Sequence, residues 1–336
     1  MNYPRVQLHC HLDGAIPERL FVKYSREGGY VPEGVSDEEW IRQNVMTESM
    51  TLSEGLEKFV LLTAILQTKE HLTEVTETIL DDYYEEGSRL VELRFAPQSH
   101  TEKEMDMEDA ILAVLEGRKR AMEKHPDLVC GILVCIMNYG QEWGCLENNI
   151  RTVELAAKYK DQGVVGIDLA GDEMATPIES YAPQFEMAKQ LGVNFTIHAG
   201  ESGPASNVAF ALSIGAKRIG HGIHSIQDEK VVEEIIEKGV TLEVSPTSNV
   251  LSRCVPSYKE HPIRTFFDRG VRVNVNTDDP SLFGIRLEEE YQKLRETFHF
   301  TEKELALMNL YGAEASFCEG KEKVIEELKA YLAAVE

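Results

Sequence analysis

Residues 218–244 read RIGHGIHSIQDEKVVEEIIEKGVTLEV. Two runs of strand length, 218–221 and 240–244, flank an amphipathic stretch at 230–238 in which Val231, Val232, Ile235 and Ile236 recur at helical spacing. Strand, helix and strand in that order describe a βα repeat and a parallel sheet. The alternation extends in both directions. Further strand-length runs lie at 5–9, 90–95, 129–137, 164–169, 193–198 and 271–276, with amphipathic stretches between them at 109–124 and 146–160. Several runs are nearly continuous in Val, Ile and Leu, as in strands covered on both faces. Eight strands each followed by a helix predict an α/β fold of the (β/α)8 TIM-barrel type.

Such a barrel needs about 250 residues, and the chain has 336. The surplus lies mainly between the first and second runs, where residues of about 15–89 read as helices near 17–25, 52–67 and 71–86. An insertion after the first strand sits over the C-terminal mouth, where active sites of this fold are built. No repeat, low-complexity tract or Gly/Ser linker divides the chain, so a single domain over 1–336 is expected, with 287–335 adding helices outside the barrel.

The 58 acidic and 34 basic side chains leave a net charge of −24. That excludes a general nucleic-acid binder, whose affinity comes from Lys and Arg displacing counterions. With 43% hydrophobic and 27% charged residues, extensive disorder is also excluded. No leader pattern or apolar run of membrane-spanning length occurs, so a cytoplasmic protein without membrane contact is expected. The six cysteines, at 10, 130, 135, 145, 254 and 318, form no C-x-x-C pair and read as buried free thiols. Neither a dinucleotide nor a P-loop glycine pattern is present, and the H-x-E…P-C-x-x-C signature of the nucleobase deaminases that hold zinc through a cysteine pair is missing.

The chemistry gathers at strand ends. His9 and His11 close the first run, and side chains two apart on a strand point the same way. His198 closes the fifth run, His221 the sixth, and Asp278 and Asp279 follow the eighth. In a barrel these ends converge on one mouth. Three imidazoles and a carboxylate drawn from this set suit a borderline divalent cation, zinc first. Glu201, three residues after His198, is placed to stand beside the metal and carry protons.

HCHLDG at 9–14, DLAGDE at 168–173, HAGE at 198–201, GHG at 220–222 and NTDDP at 276–280 closely resemble, in order and separation, the adenosine deaminases of the metal-dependent amidohydrolase superfamily. SPTSN at 245–249 and HPIRTFFDRGV at 261–271 are similar to the family's strand-seven region and the helix after it. The resemblance implies zinc, one ion per chain, on His9, His11, His198 and Asp278. It implies that His221 orients the attacking water, Glu201 serves purine N1, Gly171 offers its amide to N3 and Asp279 faces N7, while Asp13 and His11 meet the ribose 5′ end.

The implied reaction is hydrolytic deamination of adenosine and 2′-deoxyadenosine to the inosine nucleosides and ammonia, with a neutral purine nucleoside and water as the partners. Alternatives are deamination of free adenine or of a 5′-modified adenosine such as 5′-methylthioadenosine or aminofutalosine. ELRFAPQSH at 92–100 is mixed in this respect, because its first half resembles the nucleoside enzymes and Pro-Gln-x-His also occurs among adenine-type relatives. A non-catalytic barrel would have lost a ligand or Glu201, and none is missing. The fourth run ends GIDLAGDE without a lysine to bridge two ions, so one metal is expected. Oligomeric state is not legible at this level.

Overall fold

A computed structural model describes residues 3–44, 50, 52–140 and 145–335. Among them are eight strands: β1 (Arg5–His11), β2 (Ser88–Phe95), β3 (Val129–Asn138), β4 (Val164–Gly171), β5 (His198–Ala199), β6 (Arg218–His221), β7 (Thr241–Val244) and β8 (Arg272–Val275). They pair in parallel and in sequence order as two four-stranded sheets, β1 to β4 and β5 to β8.

The edges of the two sheets meet at both seams. Between β4 and β5, Ile167 bridges Phe195, with Ile167 N–H donating to Asn194 O at 2.9 Å and Thr196 N–H to Ile167 O at 3.0 Å. Between β1 and the segment after β8, Cys10 bridges Asp278, with His11 N–H donating to Asp278 O at 2.9 Å and Asp278 N–H to His9 O at 3.0 Å. Strand number, order and parallel sense thus follow the expected α/β pattern, while the ladders at the seams are single bridges. One expectation shrinks: of the run 193–198 only His198 joins a strand, because Asn194 and Thr196 bond to Ile167 of β4 through a single bridge and Ile197 meets β6 only where its carbonyl accepts the Gly220 amide at 2.8 Å.

Between β1 and β2 stand helices Glu18–Glu27, Asp37–Asn44, Leu52–Ala64 and Lys69–Glu85. Asp37–Asn44 was not expected, since Trp40 is its one buried side chain and leaves little apolar period to read. Beyond β8 the chain forms helices Pro280–Phe283, Leu287–Phe298, Glu302–Ala315 and Glu322–Ala334. Glu302–Ala315 packs on β1 and β8: Asn309 accepts the Val6 amide at 2.7 Å, and Gly312 leaves no room for a Cβ beside Asn274. Cys10, Cys130, Cys135 and Cys318 are buried free thiols, and Cys254 is partly exposed. The side chain of Cys145 lies outside the described residues. No described helix is long and apolar enough to cross a membrane.

Candidate active site and metal centre

At the C-terminal ends of the strands a cavity is lined by His11, Asp13, Gly171, His198, Glu201, His221, Asp278 and Asp279, with Met50, Gly55, Phe59 and Thr63 from the insertion covering it. Eight of the nine residues picked out from the sequence therefore share one space. The ninth, His9, is fully buried, and its ring centroid lies 4.6 Å from that of His198.

Backbone geometry explains the convergence. The seam bonds between His9, His11 and Asp278 place these residues side by side although about 270 residues separate them in sequence. Both Asp278 (φ 63°) and His221 (φ 59°) adopt the left-handed conformation, costly for residues with a Cβ and typical of functional sites held by their surroundings. Gly171 (φ 104°) turns at the end of β4, where a Cβ would stand 2.7 Å from Asn138 O.

One ligand atom from each of His9, His11, His198 and Asp278 falls within 4.8 Å of the others. Their protonation is set from behind. His9 Nδ1 faces Glu243 Oε2 at 3.0 Å and His198 Nδ1 faces Asp168 Oδ2 at 3.0 Å. Each Nδ1 therefore carries the hydrogen and each Nε2 turns a lone pair inward. His9 Nε2 then meets Asp278 Oδ1 at 3.2 Å, and His11 Nε2 meets His198 Nε2 at 3.3 Å. Burial holds the His11 imidazole well below its ordinary pKa, hence neutral. Two inward lone pairs, a third imidazole nitrogen and a carboxylate oxygen gathered this closely are the donors a borderline divalent cation takes, so the set fits a divalent metal.

Behind the histidines runs a fully buried ionic array that sequence reading missed. Arg94 donates to Asp168 at 2.8 Å and to Glu243 at 2.7 Å; Arg218 donates to Glu243 at 2.7 Å and to Glu92 at 2.6 Å. These arginines, together with His9, hold the Glu243 carboxylate well below the usual range in spite of its burial. A signal existed: Glu92, Arg94, Asp168, Arg218 and Glu243 are charges inside otherwise apolar strand runs, where an unpaired charge would not be tolerated.

Glu201 is almost wholly buried, and burial, then Asp278, push its carboxyl up to about 8. Its loop is clamped by Glu173, whose carboxylate accepts the amides of Gly200 (2.6 Å), Glu201 (3.0 Å), Ser202 (3.0 Å) and Gly203 (2.8 Å). Asp278 is held well below its ordinary value, burial notwithstanding, by His9; Asp279 is pushed well above by burial and by Asp278. Ser248 donates to Asp278 Oδ2 at 2.7 Å. Asp13 Oδ1 faces His100 Nε2 at 3.0 Å.

The family model described as adenosine deaminase matches residues 4–331. The chain belongs to the adenosine deaminase family. An adenosine deaminase of Clostridium acetobutylicum is 34% identical over 326 residues, 96% of each chain. Among solved structures, an adenine deaminase from Arthrobacter aurescens superposes with a TM-score of 0.89 at 25% identity, covering 98% of this chain and 99% of its own. An amidohydrolase from Burkholderia ambifaria with bound zinc does so at 0.84 and 23% identity, covering 99% and 93%. In this family's setting the DLAGDE motif gains a further member, since Glu173 is the residue that holds the HAGE loop.

Proposed function

We propose that the protein catalyses hydrolytic deamination of adenosine and 2′-deoxyadenosine, yielding the inosine nucleosides and ammonia. The observation that carries this reading is the convergence of Glu201, His221 and Asp279 on one cavity beside the set His9, His11, His198 and Asp278. Those four would hold one zinc ion, which when bound supplies Lewis acidity and lowers the pKa of water from 15.7 to about 7.

The remaining chemistry belongs to side chains. With its carboxyl at about 8, Glu201 carries a proton at neutral pH and hands it to purine N1 as addition at C6 breaks the aromatic ring. Asp279, also pushed up, is a neutral acid that donates to N7, an atom able only to accept. His221 orients the attacking water. Gly171 lines the cavity, and its amide serves N3. Asp13 and His11 meet the 5′ end of the ribose. An acidic side chain at the 5′ end, Asp13, favours a neutral nucleoside over a phosphorylated one. One domain spanning 1–336 and a cytoplasmic setting accompany this reading.

A second reading, deamination of free adenine, is favoured by the likeness to the Arthrobacter enzyme and by Pro97-Gln98-Ser99-His100. Assaying the zinc-loaded protein with adenosine, 2′-deoxyadenosine, adenine and 5′-methylthioadenosine separates the two. Conversion of the nucleosides with little turnover of adenine supports the first; turnover of adenine alone replaces it with the second. No turnover of any of the four overturns both.

A further inference from the structure

His221 reaches the cavity through Nε2, which lies 3.7 Å from Glu201 Oε1 and 3.8 Å from Asp278 Oδ2 and makes no hydrogen bond among the described residues. Whether this atom carries a hydrogen or a lone pair decides what the ring can do. Its other nitrogen, Nδ1, stands 3.0 Å from Asn249 Nδ2. Asn249 Oδ1 stands 3.1 Å from His261 Nε2, and the Ile263 backbone amide donates to His261 Nδ1 at 3.2 Å. His221 and Asn249 are fully buried, and His261 is 4% exposed.

The Ile263 amide can only donate, and that fixes the sense of every bond after it. His261 Nδ1 accepts, so the single hydrogen of the neutral ring is on Nε2 and goes to Asn249 Oδ1. The Asn249 amide then turns its NH2 toward His221, whose Nδ1 must accept. The hydrogen of neutral His221 is left on Nε2. Turning the Asn249 amide over would require His261 to accept on both nitrogens, which a neutral imidazole cannot do. A second proton on His261 would press against the Ile263 N–H, and burial holds that ring's pKa down to about 3.

We propose that Asn249 and His261 are positioning residues that lock His221 as its Nε2–H tautomer, so that it presents a hydrogen-bond donor to the reacting oxygen. The proposal rests on the reading above, in which His221 faces the attacking water. A locked donor holds that oxygen by a lone pair and leaves acceptance of its proton to the neighbouring carboxylates. SPTSN and HPIRTFFDRGV, more than a dozen residues apart at their starts, thereby act on one ring of a third motif, GHG.

Long-range 1H–15N correlation spectra of the zinc-loaded, 15N-histidine-labelled protein test the lock directly, with His221→Ala identifying the ring. A pyrrole-type Nε2 and a pyridine-type Nδ1 are expected. A hydrogen on Nδ1, on both nitrogens or on neither overturns the proposal. Asn249→Asp places acceptors toward both rings and moves the His221 hydrogen to Nδ1. Its kcat should fall by about 10²-fold or more with KM little changed, as for wrong-tautomer histidines elsewhere. His261→Gln still donates to Asn249 and should keep both the wild-type spectrum and kcat within about fivefold. Loss of kcat in Asn249→Asp with an unchanged His221 spectrum, or an inverted spectrum with full kcat, overturns the positioning role. If neither variant folds, the wild-type spectrum alone decides the tautomer. Failure of the wild type to deaminate any substrate overturns the functional reading instead, and the spectra are still readable.

Discussion

The carboxylate of Glu173 accepts the backbone amide of Glu201 at 3.0 Å, and with it those of Gly200, Ser202 and Gly203. One side chain thus satisfies a loop whose amides would otherwise be buried without partners. Glu173→Ala removes all of these acceptors, and each stranded amide costs about 1–3 kcal/mol. Denaturant unfolding should show a loss of at least about 3 kcal/mol. Turnover of the residual folded fraction should also fall, because the backbone carrying Glu201 is released.

Glu201→Gln keeps the shape of the side chain but removes the transferable proton. Turnover of adenosine should drop by about 10²- to 10⁴-fold. Metal analysis of the same sample should find zinc content unchanged, and loss of zinc would mean that Glu201 belongs to the ligand set.

Gly14 lies so close to Asp279 that a Cβ at position 14 would stand 1.9 Å from Asp279 Oδ1. Gly14→Ala must therefore displace the carboxyl assigned to purine N7. A fall of about 10²-fold in kcat/KM is expected from a misplacement of this size. Zinc content should remain at the wild-type level, which steady-state kinetics and metal analysis together will check.

Glu243 joins His9 to Arg94 and Arg218. Neutralising it in Glu243→Gln leaves two buried guanidinium groups short of a counter-charge, at a cost of about 3–5 kcal/mol. It also weakens the hold on the His9 tautomer. Zinc affinity, measured by competition with a chelator, should fall about 10- to 100-fold.

Glu290 is fully buried in helix Leu287–Phe298, where it accepts the Thr247 amide at 3.0 Å, and burial pushes its carboxyl from 4.5 up to about 7. A carboxyl whose folded pKa exceeds its unfolded one contributes stability that is whole below the unfolded value and lost as pH rises through the folded value. The difference is worth about 3 kcal/mol. Glu290→Gln should match the wild type near pH 4.5 and exceed it above pH 7, as read by unfolding at a series of pH values.

The residues legible in advance were those whose chemistry and place both show locally. His9, His11, His198 and His221 close apolar runs, so position and type are visible within a few residues. Glu173 shows neither: its partners lie at 200–203, and nothing near it in the sequence points to them. Glu92, Arg94 and Arg218 announced only that a buried charge needs a partner, not which one.

By itself, then, the amino-acid sequence determined the alternation of strands and helices, the strand ends that carry the histidines, and the site for an insertion. These follow from side-chain period and from near neighbours along the chain. Only the tertiary structure decided that Asp278 is stitched to His9 and His11 across a seam, that Glu173 holds the Glu201 loop, and that a backbone amide at Ile263 sets the tautomer of His221. Hydrogen-bond partners and their direction depend on which buried groups meet in space, and the covalent order of residues carries no record of that meeting.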